Sequence, residues 1–388
     1  MKVGTVMIVI GAGITGCVIA RYFADNDYKV HIYEKREHIG GAIYDYMDET
    51  GSYIHKFGPH IFHTNSDTAY LFINRFSHWN LFNHKVLGQI QNVLCPIPFN
   101  FTSIETLFPE DTANRFIQKL SNFIGQGNST TIGELSKAND NDLKELADFI
   151  YRHVFLNYTT KQWGVPPEEL GGTVMSRVPV RASYDDYYFS DQYQLIPRNG
   201  YTSFLKEIIN HENIELHTNC DMDKRICIND DMLFVDGQLY NDVMVYTGCL
   251  DRLLNYQYGI LPYRTLKFVF ETTKWKFQPV AVVNYPNAPE FTRITEFGHF
   301  YPDKQFTRTT LMYEYPLGYD PSSDYEPYYP IPTDENDRLY QMYCQRVNKV
   351  KNFFPAGRLG SYKYINMDAA ILEGLSVAQK IIKGNENV

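Results

Sequence analysis

The order of apolar and polar positions divides the chain into strands and helices before any chemistry is considered. Residues 6–10 form an unbroken apolar run, as expected of a strand buried on both faces. A helical pattern follows at Val18, Ile19, Tyr22 and Phe23, and residues 29–33 read as a second strand. Asn65-Ser66 has the character of a helix cap. Residues 85–101 alternate and carry Pro96 and Pro98, which predicts edge strands or an extended crossing. From Ser103 to about Gln162 the period is helical. Phe116, Leu120, Phe123 and Ile124 make one apolar stripe there; Leu143, Leu146, Ile150 and Val154 make another. Residues 201–211 predict a helix, 214–217 and 243–246 strands, and Asp230-Asp231 a hairpin tip. Four β-rich runs at 266–272, 280–285, 291–297 and 307–315 predict an antiparallel sheet. Helices over 334–351 and 368–382 close the pattern.

These elements predict an α/β protein: a Rossmann-like nucleotide-binding domain with a helical insertion domain and an antiparallel β-sheet domain. The nucleotide domain is expected from three stretches, 1–84, 201–250 and 334–388. The sheet domain takes 85–102, 178–200 and 251–333, and the insertion takes 103–177. Composition narrows the partners. A net charge of −9 over 388 residues argues against a nucleic-acid surface, which needs a basic face. The six cysteines are scattered with no C-x-x-C pair, so neither a disulfide framework nor a zinc site is expected. No apolar run reaches membrane-spanning length and the first strand begins almost at once, which predicts a cytoplasmic protein. The 31 Tyr and 25 Phe are unusual, and tyrosines line wet clefts as readily as cores.

The candidate chemistry begins between the first strand and the first helix. Gly11-Ala12-Gly13-Ile14-Thr15-Gly16 is a G-x-G-x-x-G turn. Gly11 makes the tight turn, Gly13 admits a pyrophosphate to the backbone, and Gly16 lets the helix lie on the strand. The helix N-terminus then faces the phosphates, and Glu34 at the end of the second strand suits a ribose. Lys35-Arg36-Glu37-His38-Ile39-Gly40-Gly41 directly after the acid resembles the continuation in FAD enzymes of the glutathione-reductase-like and amine-oxidase-like groups. FAD is therefore the expected cofactor.

Further motifs extend along nearly the whole chain. They are His60-Ile61-Phe62-His63-Thr64, Tyr158-Thr159-Thr160-Lys161-Gln162-Trp163-Gly164, Pro179-Val180-Arg181, Tyr187-Tyr188-Phe189, Thr292-Arg293-Ile294-Thr295-Glu296, Glu314-Tyr315, Gly357-Arg358-Leu359 and Tyr362-Lys363-Tyr364-Ile365-Asn366-Met367. Together they resemble the UDP-galactopyranose mutase family, flavoenzymes that interconvert the six- and five-membered ring forms of a nucleotide-bound sugar. The resemblance implies a reduced flavin whose N5 displaces the nucleoside diphosphate from the anomeric carbon, ring opening and reclosure on O4, and return of the diphosphate. It also implies a role in cell-surface polysaccharide precursor synthesis.

Residue by residue, the resemblance makes Arg181 and Arg293 the diphosphate clamp, completed by Tyr188, Tyr315 and Tyr364. His63 falls beside the reactive edge of the flavin. Val154, Phe155, Tyr158, Thr159, Trp163 and Asn284 fall around the nucleotide, with His84 facing the sugar. Cofactor contacts fall to Gly11, Gly13, Thr15, Gly16, Glu34, Lys35, Gly41, Ala42, His60, Ile61, Cys220, Arg358, Ile365, Asn366, Met367 and Asp368. A helix beginning at Asp368 would present its positive end to the flavin N1 region. The chain departs from the family pattern at His84 (Asn), Asn366 (Asp), Tyr313 (Lys), Leu195 (Gly), Ala42 (Asn) and Val154 (a larger apolar residue). His84 and Leu195 are expected to reshape the sugar pocket.

The expected partners are a nucleotide-diphosphate sugar and an external reductant for the flavin, with no nucleic acid, no membrane and no metal; a homodimer is left open. The departures keep dTDP-fucopyranose and UDP-N-acetylgalactosamine beside UDP-galactopyranose as substrates. An amine-oxidase-type FAD oxidoreductase and a non-catalytic FAD-binding protein are the competing readings. Residues 162–181, with Gly164, Gly171 and Gly172 as hinge points, are expected to open and close over the nucleotide.

Overall fold

The run Val6–Ile10 is the middle strand of a five-stranded, wholly parallel sheet. Its order is Ile214–His217, Lys29–Tyr33, Val6–Ile10, Met244–Tyr246, Phe353–Pro355. The computed structural model describes residues 6–167 and 179–386. A parallel sheet needs cover on both faces. Helices Ile14–Ala24, Tyr201–Ile209 and Met367–Glu386 cover one, burying Val9, Phe23, Ile32, Phe204 and Ile371. On the other face Ile8, Ile10, Met244 and Tyr246 pack with Tyr343 and Val347 of the helix Asp334–Val347. The sheet is assembled from three widely separated stretches of chain.

A seven-stranded sheet stands beside it, in the order Tyr329–Pro330, Tyr263–Lys274, Arg308–Gly318, Arg293–Glu296, Val282–Asn284, Val86–Ile90, Val93–Ile97. Its neighbours are antiparallel except one pair. Val86–Ile90 runs parallel to Val282–Asn284, a pairing that requires a long crossover. Residues 91–281 lie between the two strands.

Residues 179–200, expected in the sheet domain, contribute no strand to this sheet. Val180–Arg181 pairs with Ser129–Thr130 of the insertion. Tyr193–Pro197 pairs with Phe62–Thr64 and Trp79–Leu81 in a small sheet of its own. Leu195, expected to reshape the sugar pocket, is instead buried in the core beside Phe62, Phe72 and Tyr201.

The helical insertion packs Phe116, Leu120, Leu135, Leu143, Leu146 and Ile150 into a core of its own. Between the helices Asn141–Ile150 and Asn157–Trp163, residues Tyr151–Leu156 form a π-helical turn. The wider turn breaks the regular helical stripe. It brings Val154 and Phe155 round to a cavity at the foot of the seven-stranded sheet. No described helix is long and apolar enough to cross a membrane.

Candidate active site

Three cavities sharing lining residues form one trough from the parallel sheet to the helical insertion. The first lies over the glycine turn and is lined by Gly11, Gly13, Thr15, Gly16, Glu34, Lys35, Gly41, Ala42, His60, Cys220, Arg358, Ile365, Asn366 and Met367. Its floor is bare backbone. A Cβ on Gly13 would meet nothing within 4 Å, whereas one on Gly16 would lie 2.0 Å from the Gly11 carbonyl oxygen. The helix Ile14–Ala24 starts at Gly13 with no side-chain cap and no acid in its first turn. Its leading amides and positive end are thus presented to the cavity. Glu34, 3 % exposed, accepts from Ala12 N at 3.0 Å and Arg36 N at 3.0 Å. An open glycine floor, an uncapped helix start and a buried acid at the strand end fit a dinucleotide.

The segment roofing that cavity was not legible from sequence. Tyr319, Glu326, Pro327 and Tyr328 line it. Glu326 is latched to Lys35 at 3.2 Å and to Arg36 at 2.8 Å. Glu326→Ala is expected to weaken dinucleotide retention about tenfold, the scale of one charge-assisted hydrogen bond. The rate of cofactor loss on dilution measures it, and an unchanged rate would show that the latch does not hold the roof.

The second part of the trough shares Ala42, His60, Arg358, Ile365, Asn366 and Met367 with the first. It also takes in Ile61, His63, His84, Tyr188, Asn284, Arg293, Tyr329 and Tyr364. The twenty-residue helix Met367–Glu386 begins here and presents its positive end. His63 Nδ1 lies 2.9 Å from Asp191 Oδ2, and its ring stacks on Phe189 at 3.7 Å. Burial pushes His60 down to about 3, with Arg358 adding to the effect, so its ring is neutral. His84 is likewise pushed down to about 3 by burial, with Arg293 and His63 contributing, and its Nδ1 has no hydrogen-bond partner.

Arg293 sits where the second cavity opens into the third. Strand register explains its position: Arg293 lies opposite Glu314 on the neighbouring strand, and both point into the trough side of the sheet. Its Nε donates to Glu314 Oε1 at 2.5 Å, and Glu314 is fully buried. Burial pushes the Glu314 carboxyl up from its ordinary value, and the guanidinium pulls against it. This holds Arg293 by one nitrogen in a fixed orientation. The third cavity adds Val154, Phe155, Tyr158, Thr159 and Trp163 from the insertion to Tyr188, Asn284, Tyr329 and Tyr364. Burial pushes the Tyr158 hydroxyl up to about 12, so it is a neutral donor. Tyr364 stands between Arg358, 5.0 Å from its ring centre, and Tyr329, 5.3 Å away.

Three expected site residues are not brought to the trough. Arg181 turns its guanidinium to the main chain instead, donating to the carbonyls of Tyr187 at 2.5 Å and Tyr188 at 3.1 Å, with Asp185 3.5 Å away. It anchors the segment that carries Tyr188. Tyr315 follows Glu314 on an extended strand, and alternation sends it to the opposite face, beside Phe291. Tyr329, which the sequence reading missed, occupies the trough instead, on the short edge strand Tyr329–Pro330. Asp368 faces away: its Oδ2 accepts from Thr64 Oγ1 at 2.9 Å. Of the expected gate over residues 162–181, residues 168–178 lie outside the described residues.

Comparison with known proteins bears on this arrangement. Residues 153–364 match the family model of UDP-galactopyranose mutase, and residues 9–76 match that of an NAD(P)-binding Rossmann-like domain. A UDP-galactopyranose mutase of Mycoplasma genitalium is 35% identical over 385 residues, 97% of this chain and 94% of the relative. A dTDP-fucopyranose mutase of Escherichia coli is 31% identical over 383 residues, 98% of this chain and 99% of the relative. In fold, the chain is similar to a crystal structure of reduced UDP-galactopyranose mutase, with a TM-score of 0.76 at 18% identity, covering 98% and 94% of the two chains. Motifs, fold and full-length identity agree: the chain belongs to the UDP-galactopyranose mutase family and is an enzyme of the isomerase class.

Proposed function

We propose that this enzyme binds FAD, works with the flavin reduced, and interconverts the pyranose and furanose forms of a nucleotide-diphosphate sugar, with UDP-galactopyranose as substrate and UDP-galactofuranose as product. The observation that carries this reading is Arg293. A guanidinium fixed through one nitrogen by a buried carboxylate stands at the junction between the dinucleotide trough and an aromatic-lined cavity. Charge develops on the diphosphate as its bond to the sugar breaks, and a fixed cation there stabilises that charge without reorganising. A two-way isomerisation needs the diphosphate kept in place for its return, and Arg293 with Tyr188, Tyr329 and Tyr364 supplies that site.

The reduced flavin supplies a nucleophilic ring nitrogen. The protein does the rest. Phe155, Tyr158, Thr159, Trp163 and Asn284 hold the nucleoside, and the start of the helix Met367–Glu386 offers positive potential to a reduced ring. His63, oriented by Asp191 and Phe189, fixes the wall at the ring edge, and neutral His60 adds no competing charge. The enzyme acts in the cytoplasm on a soluble nucleotide sugar, with electrons from an external reductant.

A second substrate is favoured by one position. His84, 4 % exposed, carries a neutral imidazole at the sugar end of the trough, where its unpartnered Nδ1 disfavours a merely structural role. The similarity to a dTDP-fucopyranose mutase supports dTDP-fucopyranose as the alternative. The test is incubation of chemically reduced enzyme with a panel of UDP- and dTDP-sugars, products read by chromatography. Conversion without stoichiometric use of reductant is expected, and His84→Asn is expected to shift the preference between galactose and its 6-deoxy analogue by about tenfold or more. Consumption of an electron donor at every turnover would overturn the mutase reading. An unshifted preference would overturn the role of His84.

A further inference from the structure

Away from the trough, the described residues contain one grouping of His, Cys, Asp and Glu side chains close enough to share an ion: His31, Glu215 and His217. It follows from strand geometry. Glu215 and His217 are two apart on Ile214–His217 and so share a face. In the parallel register Glu215 stands beside His31, and His217 beside Tyr33. His31 and Tyr33 are the outward positions of a strand whose alternate residues, Val30 and Ile32, are buried in the core.

One ligand atom from each of the three side chains lies within 4.8 Å of the other two, within reach of a single ion. His217 Nε2 lies 3.1 Å from His31 Nδ1 and 3.4 Å from Glu215 Oε1. Zinc bonds of roughly 2.0–2.2 Å to nitrogen and oxygen place tetrahedral ligand atoms about 3.3 Å apart. The rings are also held before any ion arrives. His217 stacks on Tyr33 with 4.6 Å between centres and on His31 with 5.1 Å between them. Two imidazoles and one carboxylate select a zinc-like cation over magnesium or calcium, which prefer all-oxygen shells.

We propose that His31, Glu215 and His217 form a binding site for a zinc-class divalent cation, with a fourth position left to water. The ion would tie the outermost strand of the parallel sheet to the strand ending at Glu34. Tyr33, under the His217 ring, lines the dinucleotide cavity, and Glu34 N donates to His217 O at 2.8 Å. The site thus clamps the wall of the cavity from outside.

The test uses chelator-treated holoenzyme titrated with zinc chloride by calorimetry and, separately, with cobalt(II). One ion per chain and a raised melting temperature are expected. Cobalt is expected to give tetrahedral absorption bands at wavelengths beyond those of the flavin. His217→Ala is expected to lose these bands and bind zinc at least about tenfold more weakly. Glu215→Ala changes the most exposed ligand and leaves the ring stack intact, so it keeps the test valid if His217→Ala fails to fold. Zinc binding unaffected by Glu215→Ala and His31→Ala, or no melting shift in the parent enzyme, would overturn the proposal.

Discussion

Arg293→Ala is expected to lower kcat/KM by about 10²-fold or more, the scale of losing one fixed charge at a developing anion. It is also expected to lower stability, because Glu314 would remain fully buried without its cation. Breaking one side of a buried pair costs about 3–5 kcal/mol. The two effects separate in the double variant Arg293→Ala/Glu314→Gln, which removes the stranded charge. That variant should regain melting temperature and stay slow. Steady-state kinetics of the reduced enzyme and thermal melts measure both quantities. Normal turnover in a folded Arg293→Ala enzyme would remove the diphosphate site from Arg293.

The glycine turn gives the second large effect, in two opposite forms. Gly16→Ala places its Cβ 2.0 Å from the Gly11 carbonyl oxygen, and neither backbone can retreat without lifting the first helix off the sheet. A loss of about 3 kcal/mol or more and little folded protein are expected. Gly13→Val meets nothing at its Cβ, and Gly13 has ordinary extended dihedrals of −76° and 178°. The fold should therefore survive while the side chain occupies the space for a pyrophosphate. Flavin absorbance per chain and circular dichroism melts distinguish the outcomes: destabilised protein for Gly16→Ala, stable colourless protein for Gly13→Val. A yellow, stoichiometric Gly13→Val protein would place the cofactor elsewhere.

What the sequence revealed and what it hid follow one physical division. The strand, glycine turn, helix and Glu34 were legible because their signals are local and each residue's role follows from its neighbours. Arg293, named from its motif, is brought to the trough. For Arg181 the motif gives a residue's place in the chain but not the direction of its side chain, which here is turned to the carbonyls of Tyr187 and Tyr188. Tyr329 went unnamed for a related reason: strand alternation decides which tyrosine reaches the trough, and that needs the pairing register. The Glu326 latch joins residues 291 positions apart, beyond any local pattern. The π-helical turn at Tyr151–Leu156 leaves no mark in a sequence whose apolar spacing is simply helical.

The order of strands in the parallel sheet also has a consequence for biosynthesis. The strand Val6–Ile10 leaves the ribosome well before its neighbour Met244–Tyr246 and the edge strand Phe353–Pro355. The last helix, Met367–Glu386, packs directly against the first, Ile14–Ala24. At ordinary elongation rates the opening segment waits on the order of tens of seconds for these partners. Its apolar strands lack their sheet partners for that time. Arg358 and Ile365–Met367 line the cavity over the glycine turn but are made long after it, so nascent chains truncated before them are expected to lack the closed cavity.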